Sequence, residues 1–184
     1  MPIIKFPINI DQLRDPRLLT RAIAAGHESG HALIRELRGR PYRFVTLGRD
    51  GEGAHLDTGP LGPLNPEEIE DEVLCALAGG IAQAMLFPNR PATESALCSV
   101  GDQNNVRDLL GERVRDKALL ERLLVTVEAM LEANLRQLKR IAKALHAQGT
   151  LTPSEVRASF AGMPLTMPEI TVTTIAEAWA AEAT

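Results

Sequence analysis

His27-Glu28-Ser29-Gly30-His31 sets two imidazoles four residues apart, with a carboxylate directly after the first. On an α-helix four residues turn through about 400°, so the two rings stand nearly one above the other and can share one metal ion. Glu28 is rotated off that line, where it reaches a water on the metal rather than the metal itself. Zinc lowers the pKa of such a water to roughly 7, and a carboxylate that takes its proton makes it a nucleophile for a carbonyl carbon. The HExxH spacing therefore points to a zinc hydrolase with His27 and His31 as metal ligands and Glu28 as general base. The plainer alternative is two core histidines, each needing its own buried hydrogen-bond partner.

Catalytic zinc usually takes three protein ligands and one water. The remaining histidines are His55 and His146. His146 falls near the end of a long predicted helix, where a cation suits the dipole, and reads as a surface residue. His55 falls in a predicted hairpin and reads as a solvated strand residue. A carboxylate is the better third ligand, and Asp102, Asp108, Glu94 and Glu112 are the candidates.

The elements that must position these groups follow from caps and periodicity. Asp15-Pro16 opens a helix whose apolar residues Leu19, Ile23, Ile34 and Leu37 keep helical spacing until Gly39 and Pro41 end it. Gly30 inside that helix costs about 1 kcal/mol against Ala, which close approach by a neighbouring element would offset. Tyr42–Leu47 reads as a strand, Asp50-Gly51 as a turn, and Ala54–Asp57 as a second strand. Asn65-Pro66-Glu67-Glu68 starts a second long helix through Met85. A loop over Pro88–Gly101 leads to a helix near Asp102, then a long helix over Ala118–Gln148, and Thr152-Pro153-Ser154-Glu155 is a capping box for a last short one. Residues 164–184 form a tail, with a helix at Ile175–Ala183.

Of the 184 residues, 45% are hydrophobic and only 3% aromatic, which favours a helical globular core. The net charge of −4 argues against nucleic-acid binding, and Arg35, Arg38, Arg40 and Arg43 read as solvated surface. Cys75 reads as a core thiol, and with Cys98 it makes no disulfide framework. The most apolar stretch, Val73–Phe87, is too short to span a bilayer. A cytoplasmic protein without a membrane anchor is expected.

Ala24-Ala25-Gly26-His27-Glu28-Ser29-Gly30-His31-Ala32-Leu33 resembles the peptidase domain of the FtsH-type ATP-dependent zinc proteases. The resemblance continues through Phe44–Leu47, the Gly-rich segment Leu77–Gln83, and Leu138–Phe160; the family has an acid where this chain has Gln83. It implies a mainly α, zincin-like metallopeptidase domain with a small β-hairpin over residues 1–163. In that family an Asp at a helix start after a Ser/Gly loop completes the zinc site, which implies Asp102 after Ser99-Val100-Gly101; a shifted alignment puts Asn105 there instead. The implied activity is zinc-dependent endopeptidase cleavage of flexible or partly unfolded proteins. The chain contains no Walker A motif, so a separate ATPase partner is one expectation and a homo-oligomer, as in the family's rings, another. A zinc-bearing interaction module and a regulatory protease dedicated to one partner protein are the competing readings.

Overall fold

The structure is a computed structural model that describes residues 16–48, 54–59, 62–88 and 99–169. Helix α1 (Pro16–Arg38) ends where Gly39 takes φ 64, a conformation that a side chain would strain. After it come β1 (Phe44–Thr46) and β2 (His55–Asp57), then α2 (Pro66–Leu86). Asn65 caps α2 as expected, its side chain accepting from the Glu68 N–H while the Glu68 carboxylate accepts from the Asn65 N–H. Helix α3 (Val100–Leu110) and a 3-10 turn (Gly111–Arg115) lead to α4 (Lys117–Ala133) and α5 (Leu135–Gln148), and β3 (Thr150–Leu151) and α6 (Pro153–Ser159) follow. Thr152 and Glu155 form the predicted capping box of α6.

The fold is mainly helical with a small antiparallel sheet. The sheet has three strands in the order β2-β1-β3, one more than the expected hairpin, because the short turn at Gly149 brings Leu151 opposite Val45. Val45 and Leu151 are fully buried and mark the face turned to the core. The single long helix expected over Ala118–Gln148 is two helices. Asn134 breaks it: the fully buried carboxamide donates to the Met130 and Thr166 carbonyls and accepts from the Thr166 N–H. Gln137 donates to the Pro164 carbonyl, so residues 164–166 lie as a strap across the α4–α5 joint.

Helix α1 packs chiefly against α2 and α5. Leu33, Ile34, Leu131, Leu138 and Ile141 form the middle of the core. The α1–α2 pair is antiparallel: Gly30 lies against Ala78 and Ala82, and Arg35 reaches Glu72. A methyl at Gly30 would overlap the Ala78 carbonyl oxygen, so the cost of a mid-helix glycine is offset by helix contact, as expected. The basic run is not solvated surface. Arg35 is only 3% exposed and paired with Glu72, Arg38 pairs with Asp71, and Arg40 with Glu68 at 2.8 Å. The acids at the start of α2 draw these guanidinium groups into the seam; Arg43 alone of the four keeps a mostly exposed side chain. No helix among the described residues is long and apolar enough to cross a membrane. Asp15, Asp50, Gly51, Glu94, Cys98 and the predicted helix Ile175–Ala183 lie outside the described residues.

Candidate metal centre

His27 and His31 face one another on α1 with ring centroids 4.8 Å apart. Asp102 comes to them from α3: its Oδ2 lies 3.0 Å from His27 Nε2 and its Oδ1 3.5 Å from His31 Nε2. One ligand atom from each of the three lies within 4.8 Å of the other two. A tetrahedral metal with bonds of about 2.1 Å holds its ligand atoms roughly 3.4 Å apart, so these separations suit one small divalent ion.

Two of the three ligands are oriented by a partner behind them. The Cys75 carbonyl can only accept, so His31 Nδ1 donates to it at 2.7 Å and leaves Nε2 facing Asp102. Asp102 is the third residue of α3, and its Oδ2 accepts from the Ser99 N–H and hydroxyl at 3.2 and 2.9 Å. Ser99 and Asp102 thus form the capping box that starts α3, two residues before the expected start, and the box fixes the carboxylate. On the α2 side the cradle is Gly79. A Cβ there would stand 2.5 Å from Nε2 of both histidines, filling the space in front of the imidazole nitrogens. The donor set, its spacing and this clearance all fit a bound cation, and His27, His31 and Asp102 could hold one.

The charges are strongly coupled. Burial alone would raise Asp102, but hydrogen bonds from His27 and His31 hold its carboxyl far below the usual range. Burial alone would lower His31, yet its bonds to Asp102 and the Cys75 carbonyl hold it well above the ordinary histidine value. Glu28 is buried, and desolvation lifts its carboxyl above the usual range against the opposing pull of both imidazoles. Its Oε2 is fully buried without a hydrogen-bond partner among the described residues. Such an orphaned acceptor beside a ligand cluster marks a place for a water or a substrate group.

These residues open onto a cleft of about 970 Å³ between α1, α2, α3 and the edge of β2. Of the other candidates for third ligand, Asp108 is exposed on the cleft rim, and Glu112 is exposed and paired with Arg115 at 2.6 Å. Asn105 sits one turn beyond Asp102, exposed, and lines the same cleft. His55 also lines the cleft, but it pairs across from Thr46 and stacks edge-on against Phe44, on the sheet face opposite Val45. His146 is not a surface residue: it is half-buried, and burial lowers its pKa. Cys75 is a buried thiol, as expected.

Sequence reasoning did not assign roles to the Cys75 carbonyl, Ser99 or Gly79. A backbone carbonyl leaves no signature. Ser99 did leave one, since Ser-x-x-Asp is a capping pattern; so did Gly79-Gly80, a costly pair inside a helix. No protein-family model matches the chain, and no curated protein matches it.

Proposed function

We propose that this protein is a zinc-dependent endopeptidase in which His27, His31 and Asp102 hold the metal and Glu28 is the general base. The observation that carries the reading is the buried, unpartnered Glu28 Oε2 beside a His–His–Asp cluster with an open face. A zinc ion held there would lower the pKa of a water toward roughly 7 and polarise the scissile carbonyl.

The chain's own residues supply the rest. Glu28 follows His27 directly, so the turn of α1 sets its carboxylate beside the ligands but off their line. Desolvation makes that carboxylate a better base than one in water, suited to taking a proton from the attacking water and giving it to the leaving amine. The Cys75 carbonyl and Ser99 keep the ligands aimed without movement during the reaction.

The cleft of about 970 Å³ is lined by β2 as well as by the three helices, which leaves room for more of a substrate than the bond being cut. The resemblance to FtsH-type peptidase domains supports flexible or partly unfolded proteins as the substrate class, and the cytoplasm is the proposed location. Casein cleavage by the zinc-loaded protein tests this. Glu28→Gln should keep its zinc yet lose about 10²–10⁴-fold in rate. A Glu28→Gln protein as fast as wild type would refute Glu28 as base, and a zinc-loaded wild type that cleaves no flexible chain would refute the peptidase.

A further inference from the structure

Cations gather on one face of α5. Arg136, Arg140 and Lys143 are exposed and Lys139 is half-buried, and their three- and four-residue spacing sets them opposite the buried Leu138, Ile141 and Leu145. Helix α5 contains no aspartate or glutamate. Among the described residues no carboxylate lies within ion-pair distance of any of these cations, whereas Arg35, Arg38, Arg40, Arg43, Arg115 and Arg157 each face one. Helix stability does not account for the pattern. Arg136 stands in the first turn of α5, the positive end of the helix dipole, where a cation is disfavoured. Arg136 and Arg140, like Lys139 and Lys143, are like-charge neighbours four residues apart, a pairing that destabilises a helix. The face therefore carries a repulsion that an anion laid along it would relieve.

We propose that this face of α5 docks an acidic helix of a partner protein. The face has no exposed aromatic ring to stack on bases and no large exposed apolar side chain to enter a bilayer. The net charge of −4 opposes a long polyanion but not a short acidic segment. Cations four and three residues apart stand about 6 and 4.5 Å apart along the axis, which is the spacing of carboxylates on one face of a second helix. Arg136 and Arg140 offer planar forks that suit carboxylates. Met167 follows the Thr166 that Asn134 holds at the start of α5, and at 48% exposure it adds an apolar contact there. No residue of α5 lines the cleft, so the docking face is separate from the metal centre and does not depend on the metallopeptidase reading.

Fluorescence anisotropy of the full chain at low ionic strength tests the face. The probe is a fluorescein-labelled, alanine-based helical peptide with glutamates spaced four, three and four residues apart; its glutamine version should not bind. Each solvated ion pair contributes up to about fivefold in Kd, so Arg136→Gln/Arg140→Gln/Lys143→Gln should weaken binding by about tenfold or more. The same variant should raise the Tm of the free protein, because like-charge neighbours are removed. Arg107→Gln/Arg115→Gln/Lys117→Gln removes the same charge from exposed cations off this face and should bind the probe as wild type does. Absence of binding by wild type, or equal weakening in the two triple variants, overturns the proposal. So does a lowered Tm in the first variant, which would make the face a device of the fold. Tighter binding of duplex DNA or of phosphatidylserine vesicles than of the peptide overturns it in favour of those occupants, and a salt-sensitive dimer that the first variant abolishes overturns it in favour of a second copy.

Discussion

At the Arg35 end of the α1–α2 seam each guanidinium faces a carboxylate, whereas at the His27 end two carboxylates and two imidazoles converge on a space that no side chain among the described residues fills. Both ends bury charge between the same two helices. In the first, Arg35, Arg38 and Arg40 meet Glu72, Asp71 and Glu68, and the pairs hold α1 in register against α2. In the second, Gly30 lets α1 lie close against Ala78 and Ala82, while Gly79 keeps a clearing before the two imidazoles. Buried polar atoms without a hydrogen-bond partner among the described residues occur at both ends, Nε of Arg35 and Arg40 at the first and Glu28 Oε2 at the second. Buried charge that is neutralised in place acts as structure. Buried charge left facing a gap is poised for something that arrives from outside.

Substitutions that damage one end and spare the other would sharpen that contrast. The largest loss of stability is expected at the ion-pair end. Glu72→Ala leaves Arg35 buried without its counter-charge and should cost about 3–5 kcal/mol in urea unfolding, with zinc per folded chain unchanged. A loss below about 1 kcal/mol would mean that the pair is solvated in solution.

Gly30→Ala comes next. The added methyl meets the Ala78 carbonyl and Ala82, backbone and a short side chain that cannot swing away, so overpacking should cost about 1–3 kcal/mol. A stabilised Gly30→Ala would show that the helices sit further apart than described.

The smallest effect on stability is expected at Gly79, although the substitution type is the same. Its new methyl would meet the imidazole tips of His27 and His31 rather than backbone; turning His27 aside breaks its bond to Asp102, a loss that the gain of about 1 kcal/mol in helix propensity offsets. Stability of the metal-free protein should change by no more than about 1 kcal/mol, yet zinc should be lost on dialysis. Gly79→Ala with full zinc would break the proposed division between the two ends.

How much of this was legible beforehand depended on the range of the contact. His27, Glu28 and His31 are neighbours on one helix, and helical periodicity alone aligns them. The caps at Asn65 and Thr152 were equally plain, because each is completed within four residues. Asp102 was one of four candidate carboxylates and was singled out only through family resemblance, for no local pattern says that α3 will deliver its first turn to α1. The Arg35–Glu72 pair was misread because a run of arginines looks solvated until the acids of α2 are folded against it, and Glu72 is thirty-seven residues from Arg35. Asn134 was hidden for a similar reason: its helix-breaking bonds include two to Thr166, thirty-two residues away.

Metal content tests the central claim most directly. Elemental analysis of the purified chain should find about one zinc per molecule, with His27→Ala and Asp102→Asn folded but depleted of it. Equal zinc in wild type and in His27→Ala, or no zinc in a folded wild type offered the metal, would contradict the assignment of His27, His31 and Asp102 as its ligands.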